Sequence, residues 1–337
     1  MSAKKPPTSY TNPVLNEDFP DPTIIRAADG YYYAYGTQTK WRSEFILNIQ
    51  VARSANLIDW ELLGDALPQK PLWADATQKL WAPHVSEHDG LYYLYFSALP
   101  NGPTAENLCL AVAVAEAPAG PFVDIGQPLL CGQSFVNIDP MSFDDPATGK
   151  RLLYWGSGFG PIKVRELAPD RISFAPQSST IDLIQPVPDE APTNYQRLIE
   201  GAWVILREDW YYLFYSGNNC CGLDAHYGVL VARSRSAIGP FETLPQATDN
   251  PHSMLLEANE HWRAPGHNCV VTDAAGHDWL AYHAIDPRQP TFDAIDAEQG
   301  YSRRIMLLDR LEYHDGWPRL VSGGTPSWQP QVAPVTE

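Results

Sequence analysis

The aromatic run DGYYYAYGT at residues 29–37 returns as DGLYYLYFSA at 89–98, GKRLLYWGSG at 149–158, EDWYYLFYSG at 208–217 and GHDWLAYHA at 276–284. Each copy opens on turn-forming residues and continues through aromatic and β-favouring ones, the pattern of a strand entered from a tight turn. The starts lie 60, 60, 59 and 68 residues apart. A further β-type stretch follows each copy: VARSANLIDWELLG (51–64), VAVAEAPAGPFVDIG (112–126), IKVRELAPDRISF (162–174), VARSRSAIGPFETL (231–244) and MLLDRLEYHDGWPRL (306–320). Five similar β units in tandem, punctuated by 31 prolines and 23 glycines, predict an all-β, five-bladed propeller with its functional site at the central channel. The step exceeds the roughly 40–45 residues of WD40 repeats. The blades are placed in residues 12–322, between an N-terminal extension (1–11) and a C-terminal tail (323–337).

Upstream of each aromatic run lies a second recurring segment: FPDPTII (19–25), LWAPHVS (80–86), NIDPMSF (137–143), IEGAWVI (199–205) and APGHNCVV (264–271). These read as the first strands of the blades, and in a propeller the first strands surround the channel. Comparable positions hold Asp21, Ala82, Asp139, Glu200 and His267. Three acids and a histidine at one repeat phase point to a shared pocket. An isolated acid in a strand is usually an edge or turn residue.

The 337-residue chain carries 23 basic and 40 acidic side chains, a net charge of −17. An anionic surface repels phosphate backbones and anionic lipid, which sets aside nucleic-acid and membrane-surface roles and leaves a neutral substrate. The opening MSAKKPPTSY has no apolar stretch behind its lysines and does not read as a signal peptide, so a cytoplasmic protein is expected. The five cysteines (109, 131, 220, 221 and 269) show no metal-ligand spacing. The adjacent Cys220 and Cys221 are expected as free thiols, a strained vicinal disulfide being the alternative.

Hydrolysis of a glycosidic bond needs an acid for the leaving oxygen and a base for water, and two carboxyl groups with proton affinities pushed apart supply both. A third carboxylate raises the acid's pKa by like-charge repulsion. No GxSxG elbow, Walker loop or HExxH motif competes for the assignment. The segment NPVLNEDFPDPTIIRAADGYYYAYGTQT (12–39), together with NIDPMSF, IEGAWVI, APGHN and RRIMLLDRLEYHDGWP (303–318), resembles glycoside hydrolase family 43. The resemblance covers about residues 12 to 320, with the motifs in family order.

It implies a five-bladed propeller of inverting enzymes, with Asp21 as the base that activates water, Asp139 as the carboxylate that tunes and holds the acid, and Glu200 as the acid. By the same resemblance His267 is a channel ligand for calcium or another divalent cation, against a hydrogen-bonded core histidine. Arg304 binds the sugar, with Arg303 as the alternative, and Trp81 is a stacking platform or a packing residue. The substrate is expected to be a short oligosaccharide and the activity a β-D-xylosidase with α-L-arabinofuranosidase side activity. A dedicated α-L-arabinofuranosidase, a galactofuranosidase or galactanase, a retaining enzyme of fructan type and a non-catalytic sugar-binding propeller stand as alternatives.

Overall fold

In the computed structural model, residues 7–39, 46–102, 107–187, 191, 193–222, 224–290 and 303–336 are described. Among them five antiparallel sheets follow one another along the chain, each built from one continuous segment, and they form the five blades of a propeller. The first blade holds Thr23–Arg26, Tyr32–Gly36, Gln50–Ser54 and Trp60–Asp65. The second begins with Leu80–His88 and Leu91–Ala98, the third with Met141–Asp144 and Arg151–Trp155, the fourth with Ile199–Arg207 and Trp210–Asn219, and the fifth with Arg263–Thr272 and Asp278–Ile285. The recurring aromatic runs are the second strand of every blade, as the spacing predicts.

Packing explains why those runs are so apolar. A second strand is covered on both faces by the neighbouring blades, so alternation gives way to continuous burial: every residue of Tyr32–Gly36 and of Asp278–Ile285 is buried. Tyrosines far outnumber phenylalanines among the aromatic rings there, and several of their hydroxyls reach the next blade. Tyr35 Oη donates to the Pro118 carbonyl (2.6 Å), Tyr95 Oη to that of Arg171 (2.8 Å) and Tyr154 Oη to that of Ala237 (2.6 Å). These bonds join consecutive blades at their outer loops.

Among the described residues, no blade mixes strands from the two ends of the chain. Instead residues 10–19 run along the fifth blade: Val14 N–H donates to Met306 O (3.1 Å) and Phe19 N–H to Arg304 O (2.7 Å). The Asn12 amide reaches Leu308 O and Ser327 Oγ (3.0 and 2.9 Å). Outside the stretch assigned to the blades, Ser9–Tyr10 pairs antiparallel with Gln331–Val332.

The cysteines depart from the sequence reading. Cys109 and Cys131 face each other across neighbouring strands of the second blade and form a disulfide. Cys220 and Cys221 are paired as a vicinal disulfide, where free thiols were expected, and Cys269 is a buried thiol. Sequence spacing cannot reveal the first pair, because it depends on the register of two strands that a loop of unknown path connects.

Candidate active site

The five first strands enter the channel through the same left-handed backbone turn. Asp21, Ala82, Asp139, Gly201 and His267 have φ of 54°, 48°, 60°, 62° and 47°, a left-handed conformation uncommon for residues other than glycine. The common phase in the fourth blade is thus Gly201, one residue beyond the position that the repeat suggested, and Glu200 precedes it. The left-handed turn recurs at one phase in all five first strands.

It brings Asp21, Asp139, His267 and Arg304 together. Asp21 Oδ1 accepts from Arg304 Nη1 at 3.0 Å and lies 3.4 Å from His267 Nδ1. The same imidazole nitrogen is 3.8 Å from Asp139 Oδ2. Glu200 joins through the backbone, since the N–H of the next residue, Gly201, donates to Asp139 Oδ2 at 3.0 Å. Both Glu200 oxygens accept a hydroxyl, Oε2 from Ser157 (2.5 Å) and Oε1 from Tyr227 (2.9 Å). Asp21, Asp139 and Glu200 remain 7%, 6% and 8% exposed, which leaves them open to solvent from one side only.

Identical burial acts on three unequal surroundings. Burial alone would raise the Asp21 carboxyl, but the Arg304 guanidinium outweighs that and holds Asp21 well below the usual carboxylate range. His283 Nδ1 lies 3.1 Å from the Asp21 N–H and 3.2 Å from its Oδ1. A nitrogen that accepts from the N–H cannot also donate to the carboxylate, so Arg304 and the Thr37 hydroxyl, 2.6 Å from Oδ2, are the donors that matter. Asp139 is pushed well above the usual range by burial and then by the charges of Glu200 and Asp21. Burial also raises Glu200, against the hydrogen bonds of Ser157 and Tyr227. The pair binds protons as a unit. Burial lowers the imidazole of His267 and carries that of His283 down to about 4, so both rings are neutral at pH 7.

Arg303 turns away from the floor and donates to Asn16 through O and Oδ1 (2.6 and 2.7 Å), leaving Arg304 as the arginine of the site. Trp81 begins the second blade, partly exposed. Its ring packs with Phe135 against Leu99, Leu108 and Ile138, and Lys79 Nζ stands 5.8 Å from its centroid.

Five buried groups have no counterpart among the expected residues: Asp18, Thr37, Ser157, Tyr227 and His283. Asp18 accepts the Arg304 N–H (3.0 Å) and the Thr39 hydroxyl (2.8 Å), and burial pushes its carboxyl up to about 6. A signal for Thr37, Ser157 and His283 was present: with Ser97 and Ser216 they close the five aromatic runs at the repeat's own spacing.

Below His267 the channel narrows to a small cavity lined by Thr23, His84, Trp203 and Asn268. The Thr23 hydroxyl, the Trp203 Nε1–H and both ends of the Asn268 amide are buried without a hydrogen-bond partner, and His84 has only a weak approach to the Ser142 backbone. Unpartnered polar atoms around a polar cavity suit water. No group of three or more His, Cys, Asp or Glu side chains stands ready for a metal among the described residues. His267 lines the same cavity and is an imidazole there that a cation would meet, where calcium would take about six to eight ligands, mostly oxygen.

Residues 10–318 match the family model described as Glycosyl hydrolases family 43. The extracellular exo-α-(1→5)-L-arabinofuranosidase ArbA of Cellvibrio japonicus is 27% identical over 90% of this chain and 86% of its own length. A xylan 1,3-β-xylosidase of a Vibrio species is also 27% identical, over 95% of this chain but 58% of its own. A thermostable family-43 glycoside hydrolase superposes with a TM-score of 0.76 at 27% identity, covering 97% of this chain and all of that one. The extracellular setting of the Cellvibrio relative overturns the cytoplasmic expectation, which rested on the composition of the first residues alone. A disulfide such as Cys109–Cys131 also belongs to oxidising surroundings. Blade count, order of the channel strands and family match over nearly the whole length lead to one conclusion: the chain belongs to family 43 of the glycosyl hydrolases.

Proposed function

We propose that this family 43 member is an inverting exo-glycosidase that releases terminal β-D-xylosyl or α-L-arabinofuranosyl units from short oligosaccharides. The observation that carries the reading is the split in proton affinity on one floor, where Asp21 is held ionised while Asp139 and Glu200 are pushed up. Asp21 takes a proton from water, whose oxygen bonds to the anomeric carbon. Glu200 gives its proton to the leaving oxygen as the glycosidic bond breaks and its electron pair departs with that oxygen. Attack from the face opposite the leaving group inverts the anomeric centre. Asp139 shares protons with Glu200 as a coupled pair and fixes its strand through Gly201. Arg304 keeps Asp21 ionised and offers a guanidinium edge to the sugar, with Trp81 as a platform toward the mouth.

His267 would hold calcium within a largely aqueous shell, and the bound ion would add positive charge beneath Asp21 and Asp139. The relatives with curated activities include both arabinofuranoside- and xyloside-cleaving enzymes at the same identity, so both pentosides are carried forward. The exo reading rests on the Cellvibrio relative, an exo-acting arabinofuranosidase. The extracellular relative and the disulfide support a secreted protein.

The test is initial rates on nitrophenyl β-D-xyloside, α-L-arabinofuranoside and β-D-galactofuranoside, with Asp21→Ala and Glu200→Ala alongside. Asp21→Ala should be inactive on all. Glu200→Ala should lose about 10²–10⁴-fold on disaccharides and far less on dinitrophenyl glycosides, which leave without a proton. Equal losses on both substrate types would remove Glu200 from the acid role. Oligosaccharide binding without product would turn the reading to a sugar-binding propeller.

A further inference from the structure

Four of the five blade junctions are built alike. A buried side chain at the end of one blade's second strand accepts the N–H of the next blade's left-handed residue. Thr37 serves Ala82 (2.7 Å), Ser97 serves Asp139 (3.0 Å), Ser216 serves His267 (2.8 Å) and His283 serves Asp21 (3.1 Å). These contacts support backbone that is costly to hold.

The junction between the third and fourth blades exchanges partners. Ser157 occupies the same phase and is fully buried, but its hydroxyl lies 2.5 Å from Glu200 Oε2. The Gly201 N–H, which the pattern assigns to Ser157, goes to Asp139 Oδ2 instead. A glycine at this one junction is consistent with the exchange, because a left-handed glycine carries little strain. Support is less needed, and the serine is released for another task.

We propose that Ser157 is a positioning residue for proton delivery by Glu200, its hydroxyl fixing the carboxyl plane and stabilising the carboxylate left behind when the proton departs. The proposal rests on the reading of Glu200 as the acid. A hydroxyl suits the task because it can donate. It donates to Oε2 throughout, holding the carboxyl plane while the proton is delivered, and that bond strengthens as the carboxylate charge develops. No proton is gained or lost at Ser157. Tyr227 holds Oε1 from the other side, so the carboxyl is gripped at both oxygens.

The experiment compares Ser157→Ala, Ser157→Thr and Glu200→Gln on aryl pentosides of graded leaving-group acidity. A hydrogen bond to a group that becomes charged predicts a loss of about tenfold to a hundredfold for Ser157→Ala on poor leaving groups. On dinitrophenyl substrates the loss should be under about threefold, because protonation no longer limits. Ser157→Thr keeps the hydroxyl and should recover most of the activity. Should the alanine variant fail to fold, Ser157→Cys, a near-isostere with a weak donor, carries the same test. A loss uniform across the series, or none, overturns the role of Ser157 provided Glu200→Gln still shows leaving-group dependence. If Glu200→Gln shows no such dependence, the acid reading itself has failed.

Discussion

An Asp→Asn exchange removes a charge and little volume, and made separately at Asp21 and Asp139 it tests the electrostatics of the floor through stability. Asp21 Oδ1 accepts from Arg304 at 3.0 Å and Oδ2 from Thr37 at 2.6 Å. An amide has one acceptor oxygen, so one of these donors must face an NH2 group. The Arg304 and Asp21 side chains are 11% and 10% exposed, and breaking a buried pair from one side costs about 3–5 kcal/mol. The residual exposure places Asp21→Asn at the lower end, about 3 kcal/mol, or roughly a 4 °C fall in Tm for a chain of this size.

Asp139 has the opposite sign. Its folded pKa lies above the unfolded value, so a stability penalty sets in as pH rises above the unfolded carboxylate range and grows until the folded value is passed. Asp139→Asn keeps an acceptor for the Gly201 N–H and should raise Tm at pH 7, with the gain shrinking toward pH 4. Asp21, depressed in the fold, contributes fully above the unfolded range and loses its contribution as pH falls through the folded value. Calorimetry of the three proteins at both pH values decides it. A lower Tm for Asp139→Asn at pH 7, or an unchanged Tm for Asp21→Asn, refutes the reasoning.

The pH profile of kcat/KM should be bell-shaped, with its acid limb below the ordinary carboxylate range because Arg304 holds Asp21 ionised, and its alkaline limb above that range because Glu200 is raised. Asp139→Asn should move the alkaline limb downward, read on the activated substrate to retain signal. Cys109→Ser opens a crosslink that spans 22 residues and should lower stability by about 3 kcal/mol, seen as an earlier denaturation midpoint that matches the reduced wild type. Tyr154→Phe leaves the Ala237 carbonyl without its donor and should cost about 1 kcal/mol without altering kcat/KM.

The propeller was legible because one strand per blade is covered on both faces and must be continuously apolar, so the repeat shows as runs of aromatic residues. The channel acids were legible because carboxylates interrupt otherwise apolar first strands. The one-residue offset of Glu200 was not, since it depends on Gly201 taking the left-handed position, and the register irregularity between Glu200 and Trp203 leaves no mark in the pattern. Thr37, Ser157 and Ser216 stood at the ends of three of the aromatic runs, yet a hydroxyl beside glycine reads as turn chemistry until the next blade is seen against it. Cys109 and Cys131 required a strand register, and the tie of residues 10–19 to the fifth blade joins parts of the chain nearly three hundred positions apart.

That closure bears on how the molecule can be re-engineered. Because Ser9 and Val332 sit opposite each other, a short linker across them would produce a circular permutant, and new termini could be opened in an outer loop between blades. The seam would then be covalent, and cutting at different loops would measure how much of the ring's cooperativity depends on residues 10–19.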